Sequence, residues 1–158
     1  MRISRKKSQG SRFQRAYTLV EAMISLAIIA IMASVAYPTY SGYIEKIDIA
    51  MVEKDFSQID MEMQKYFASY NQFPPDLATI HMAKDDPWGN PYQYLNMALA
   101  DGNGQKRKDH NLVPINTDYD LYSKGPDGRS VGPLTASHSK DDIIRANNGE
   151  YIGVAADY

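Results

Sequence analysis

Between Ala22 and Ile44 the chain carries 23 consecutive residues without a charge, most of them Ala, Ile, Met, Val or Leu. A helix needs about 20 apolar residues to cross the roughly 30 Å hydrocarbon core of a bilayer, so this run is long enough to span one. Glu21 stands at its head. A carboxylate at membrane depth is costly and marks a functional position whose partner has to be named. The flanks are asymmetric: Arg2, Arg5, Lys6, Lys7, Arg12 and Arg15 precede Tyr17 with no acidic residue among them. From Tyr17 onward 11 Lys and Arg face 19 Asp and Glu, a net charge of −8. The positive-inside rule keeps the basic end in the cytoplasm and sends the remainder across. There is no cysteine, so long loops on the far side must be held by packing, hydrogen bonds or a metal.

Three kinds of N-terminal segment are compatible with this pattern. A cleaved secretory signal has a short apolar core and a small-residue exit. Here the core is about twice the usual length, and "ASVAYPTY" is a poor exit. A plain signal anchor fits the length but leaves Glu21 unexplained. The third is a cut between Ala16 and Tyr17, which creates a positive amine four positions before Glu21. Residues four apart share a helix face, so amine and carboxylate lie at nearly the same depth. In a staggered stack of parallel helices, Glu21 of one copy neutralises the new terminus of a neighbour. Two charges that are costly alone then set the register of an assembly.

Beyond the apolar run lies Pro38, which removes one helical hydrogen bond and marks a kink or an end. Helical periodicity resumes at once, because Val52, Phe56, Ile59, Met63, Tyr66 and Tyr70 recur at steps of three and four. The expectation is one helix from Tyr17 to Tyr70, roughly 80 Å long at 1.5 Å per residue. "NQFPP" at Asn71–Pro75 stops it. Turn residues in "DDPWGNPYQYL" lead into a strand, with Trp88 anchoring sheet to helix, and "DYDLYSKG" reads as a second strand. The long connection between them contains "QKRKDH" at Gln105–His110, which reads as a solvated basic patch and not as a nucleic-acid site. His81, His110 and His138 lack metal-ligand spacing, and there is no nucleophile or phosphate-loop motif, so the chain reads as no enzyme. A signal-anchored periplasmic binding or hydrolase domain, using His110 or His138 with nearby aspartates, is the rival from another class.

"YTLVEAMISLAIIAIMASVAYP", with its basic leader, aromatic first residue, Glu21 and Pro38, resembles the N-terminal region of type IV pilins and type II secretion pseudopilins. "DPWGNPYQY" and "YDLYSKGPDG" resemble the major, G-type pseudopilins in particular. One departure is Ala16, where the family has Gly before the cut. Another is the connection after Leu95, longer than the family's compact hairpin. The resemblance implies a pilin-like α+β fold, in which a long N-terminal helix, half transmembrane and half amphipathic, packs on a small antiparallel sheet. Its expected parts are a cleaved leader at 1–16, an assembly helix at 17–43 and a periplasmic domain at 44–158. It implies cleavage after Ala16, N-methylation of Tyr17, an assembly role for Glu21 and a kink at Pro38. It also implies a homopolymer in the inner membrane and periplasm. Minor pseudopilins, an inner-membrane assembly platform, a prepilin peptidase and membrane lipid are the implied partners, and nucleic acid is not. A type IV or DNA-uptake pilin is the nearest alternative.

The segment Ser123–Ile143 has carboxylates at both ends. By composition it is either a turn-rich surface loop or a loop closed by calcium, which takes six to eight oxygens in forgiving geometry. The resemblance implies one structural Ca²⁺, held by Asp127 of the Gly-x-Asp-Gly run, by Asp141 or Asp142, and by the Lys124 backbone carbonyl.

Overall fold

The computed structural model describes residues 17–110, 112 and 114–158. The basic leader and the Ala16 side of the expected cut lie outside the described residues. The chain divides into two compact units, Met1–Gly42 and Tyr43–Tyr158.

Helix α1 covers Leu19–Tyr70, 52 residues with Pro38 inside it. It begins two residues later than expected, because Tyr17 and Thr18 precede the first turn. In the first unit the backbone stays helical at Pro38 although the ring leaves the Ser34 carbonyl without its usual donor. Hydroxyls of Ser34, Thr39 and Ser41 donate to the Ile31, Val35 and Pro38 carbonyls at 2.7–3.0 Å, adding side-chain hydrogen bonds to the helix around the proline. The apolar window of α1 is 0% buried by the rest of the chain.

In the second unit α1 ends where the sequence places its stop. Asn71 adopts a left-handed conformation, φ 54°, and its N–H donates to the Phe67 carbonyl at 2.7 Å. Four strands follow: β1 (Gln93–Asn96), β2 (Tyr119–Ser123), β3 (Ile143–Ala146) and β4 (Tyr151–Val154). They form one antiparallel sheet in sequential order, with Leu95 opposite Asp120, Tyr122 opposite Ile144 and Ile144 opposite Gly153. The fold is pilin-like α+β. Strands β3 and β4 are additions to the sequence reading. Asn147, Asn148 and Gly149 join them at positive φ, 52°, 55° and 98°, the conformation that tight hairpins demand and Asn and Gly tolerate.

Val52, Phe56, Ile59 and Met63 of the expected stripe are fully buried, while Tyr70 is 63% exposed. They meet Tyr119, Leu121 and Ile143 from the sheet, with Trp88 packed at the edge of this core. A second core lies on the opposite sheet face, where Ile115 and Leu134 cover Ile144 and Ala146. The sheet is therefore covered on both sides, and the long connections at 97–117 and 124–142 supply the second cover. That corrects the picture of solvated loops, because Ile115 and Leu134, at 4% and 3% exposure, are core residues supplied by these connections.

Candidate functional site

At the head of α1 the chain builds a reciprocal cap. The Glu21 N–H donates to Thr18 Oγ1 at 3.2 Å, and the Thr18 N–H donates back to Glu21 Oε2 at 2.9 Å. The Thr18 hydroxyl also donates to Glu21 Oε2 at 2.8 Å. This is the capping box that Thr-x-x-Glu encodes, and it satisfies two of the amide donors that every helix start leaves open. The spacing Thr18–Glu21 was sufficient to find it. Tyr17 and Thr18 precede the first helical turn, so Tyr17 does not share a helix face with Glu21 as the four-residue spacing implies. The carboxylate thereby has a local partner within one chain, and large apolar residues farther along the helix, such as Leu26 and Ile31, are 66% and 67% exposed. An exposed apolar surface of this extent marks a face that meets a membrane or other protein.

The second unit is locked to its stretch of α1 by charges that the apolar stripe does not reveal. Arg145, 1% exposed, reaches Asp60 on α1 through Nε at 3.1 Å and Asp118 through Nη2 at 2.7 Å. Its guanidinium lies 4.0 Å from the Tyr119 ring centre. Tyr119 donates its hydroxyl to Asp60, and Tyr92 donates to Asp55 at 2.8 Å. Burial is the main cause that pushes both phenols far up from their ordinary value; the facing carboxylates add to it, and at Tyr119 the Arg145 charge opposes it.

The 123–143 loop gathers some of the expected ligands and separates one. The Asp127 N–H donates to Asp141 Oδ2 at 3.3 Å, so these two carboxylates share the outer edge of the loop. Asp127 Oδ1 accepts from the Arg129 N–H at 2.7 Å, and its Oδ2 lies 3.6 Å from His138 Nδ1. Lys124 heads the same turn. Asp142 is fully buried and faces Arg107 instead. Burial pushes the Asp142 carboxyl up, against the opposing pull of Ser130 and the Arg107 guanidinium. Among the described residues no three His, Asp or Glu side chains converge as a metal cage. At Asp142 one carboxylate oxygen, Oδ2, already accepts from Arg107 and Ser130, while Oδ1 is buried without a hydrogen-bond partner. His110 pairs with its neighbour Asp109 at 2.7 Å on the surface.

Gly125 holds the loop together. At φ +63° an added Cβ would lie 2.3 Å from the Asp141 carbonyl. Gly125→Ala is expected to destabilise the domain by about 1–3 kcal/mol from backbone strain, with the clash adding to it. A thermal melt of the variant beside wild type checks this, and an unchanged midpoint would contradict the packing described.

Residues 11–37 match the family model described as a prokaryotic N-terminal methylation motif. The chain is similar to the type II secretion system core protein G of Klebsiella pneumoniae, at 27% identity over 152 residues, covering 82% of this chain and 92% of that one. The proteins of that name from Pectobacterium carotovorum and Escherichia coli K12 are 27% and 28% identical, each over 137 residues. Each covers 73% of this chain, and 78% and 83% of the relative. No solved structure gives a significant match. The resemblance to the major pseudopilins thus extends over most of the chain and is not confined to the N-terminal motif.

Proposed function

We propose that the chain is the major pseudopilin of a type II protein secretion system, a structural filament subunit and not a catalyst. The observation that carries this reading is the first half of α1, an apolar helix with none of its window covered by its own chain and a carboxylate at its head. Such a helix is stable in lipid before assembly and in a bundle of identical helices afterwards. The similarity to type II secretion core proteins and the methylation-motif match support the same role.

In this account a prepilin peptidase cuts after Ala16 on the cytoplasmic side, and Tyr17 receives an N-methyl group. Ala16 offers the next smallest side chain after glycine at the cut. The subunit waits in the inner membrane with its second unit in the periplasm, its Glu21 satisfied by Thr18. On assembly the carboxylate meets the methylated amine of a neighbour, which fixes the axial step between copies. Methylation keeps that amine positive and lowers its hydration, which reduces the cost of taking it into the helical core. The assembly platform, minor pseudopilins and an ATP-using partner act around the filament, since this chain carries no nucleotide-binding motif.

Deleting the gene tests the assignment. Folded exoproteins are expected to accumulate in the periplasm while surface fibres, motility and DNA uptake stay normal. Normal secretion together with lost surface fibres would instead assign the chain to an adhesive or DNA-uptake pilus.

A further inference from the structure

The 96–117 connection carries Arg107, which is 3% exposed inside a region that reads as a basic surface patch. Its backbone is fixed on both sides. The Arg107 N–H donates to Asp120 Oδ2 at 2.8 Å, its carbonyl accepts from Ile115 at 3.2 Å, and Lys108 exchanges hydrogen bonds with Gly132 and Leu134. From this anchored backbone the guanidinium enters the 123–143 loop. Nη1 donates to Ser130 Oγ and to the Val131 carbonyl, and Nη2 donates to Asp142 Oδ2. Ser130 Oγ closes the ring by donating to Asp142 Oδ2 at 2.6 Å, and the guanidinium carbon lies 4.2 Å from the Tyr122 ring centre.

A carboxylate, a hydroxyl and a main-chain carbonyl are the ligand types that calcium collects. Here they converge on a planar fork of N–H donors, which recognises them by hydrogen bonds and not by coordination. Calcium held by Asp142 would stand beside the guanidinium charge in a buried site, and the two cations exclude each other electrostatically. The resemblance implies calcium for this loop, and at Asp142 the arrangement of this chain disagrees with it. We propose that Arg107 is the resident cation of the 123–143 loop, and that the 96–117 connection is a strap delivering it. The loop then keeps its order without calcium from the compartment. Asp127 and Asp141 are left at the solvent edge, where water stabilises their charge.

The test uses the full chain in detergent micelles, melted with calcium chloride in excess and with EGTA in excess. The same midpoint in both is expected. Calcium at about a hundred-fold excess over its dissociation constant would raise the midpoint of a binding protein by several degrees. Such a rise overturns the proposal, and its loss in Asp127→Ala would return the loop to the calcium reading. The second arm melts Arg107→Met and the double variant Arg107→Met/Asp142→Asn in EGTA. Arg107→Met is expected to lose on the order of 10 °C by leaving a buried carboxylate unpaired, and the double variant to regain at least half of that. An Arg107→Met midpoint equal to wild type, or a double variant no better than the single, contradicts the cation role. If Arg107→Met does not fold, the calcium arm on wild type decides alone.

Discussion

Glu21→Gln is expected to insert into the membrane at wild-type levels and to fail at filament incorporation as completely as Glu21→Ala. The pair of substitutions separates two roles that one carboxylate performs. Gln serves at the third position of a capping box as Glu does, so the Thr18 cap survives in Glu21→Gln and is lost in Glu21→Ala. Losing a cap costs about 1 kcal/mol, too little to stop an apolar helix of this length from inserting. Removing the charge leaves a neighbour's terminal amine unpaired in a low-dielectric bundle, at a cost of about 2–5 kcal/mol per contact. That corresponds to a loss of about 30-fold or more in association for each subunit added. Membrane fractionation and electron microscopy of filaments from cells overproducing each variant read the two steps separately. Filaments from Glu21→Gln but not from Glu21→Ala would mean that capping alone explains the residue.

The second large effect belongs to Arg145. Arg145→Ala removes the buried guanidinium that joins Asp60 of α1 to Asp118, and strands the Asp118 carboxylate at 16% exposure. Removing one partner of a buried ion pair costs about 3–5 kcal/mol. For a domain of this size that lowers the thermal midpoint by roughly 10–20 °C. Arg145→Lys keeps the charge but has no fork to reach Asp60 and Asp118 together, so it should recover only part of the loss. Circular dichroism melts of the three proteins in detergent check this order. A drop below about 2 °C in Arg145→Ala would mean that the apolar stripe alone docks the helix.

The parts of the molecule that repeat locally were legible in the sequence. The stripe from Val52 to Met63, the stop at Asn71–Pro75 and the turn before β1 each follow from residues within a few positions of one another. The β3–β4 hairpin carried its own signal in "NNG", between the apolar runs of "DIIRA" and "EYIGV", just beyond the Ser123–Ile143 segment that reads as a loop. The Thr18–Glu21 cap was equally readable from its spacing. Arg107 and Arg145 were not readable in this way. Their carboxylate partners lie 35 and 85 residues away, and a lone arginine among mixed charges looks like any solvated one until the fold closes over it.

Asp120 shows the same limit from the other side. Alternation along β2 places Asp118, Asp120 and Tyr122 on a polar face, yet Asp120 is 1% exposed. The Arg107 N–H and the Asn116 side chain satisfy its oxygens at 2.8 and 2.9 Å, so burial is tolerated there. Burial pushes its carboxyl up and these hydrogen bonds oppose the shift. A strand pattern reports which residues share a face. It does not report what a distant connection will lay over that face.

The most direct test of the account is the intact mass of the protein extracted from membranes, with and without prepilin peptidase. A chain beginning at Tyr17 and carrying one added methyl group, present only with the peptidase, is the predicted result. A chain retaining its basic leader in both strains would contradict it, leaving a signal-anchored periplasmic domain with a capped helix and no new amine for Glu21 to meet.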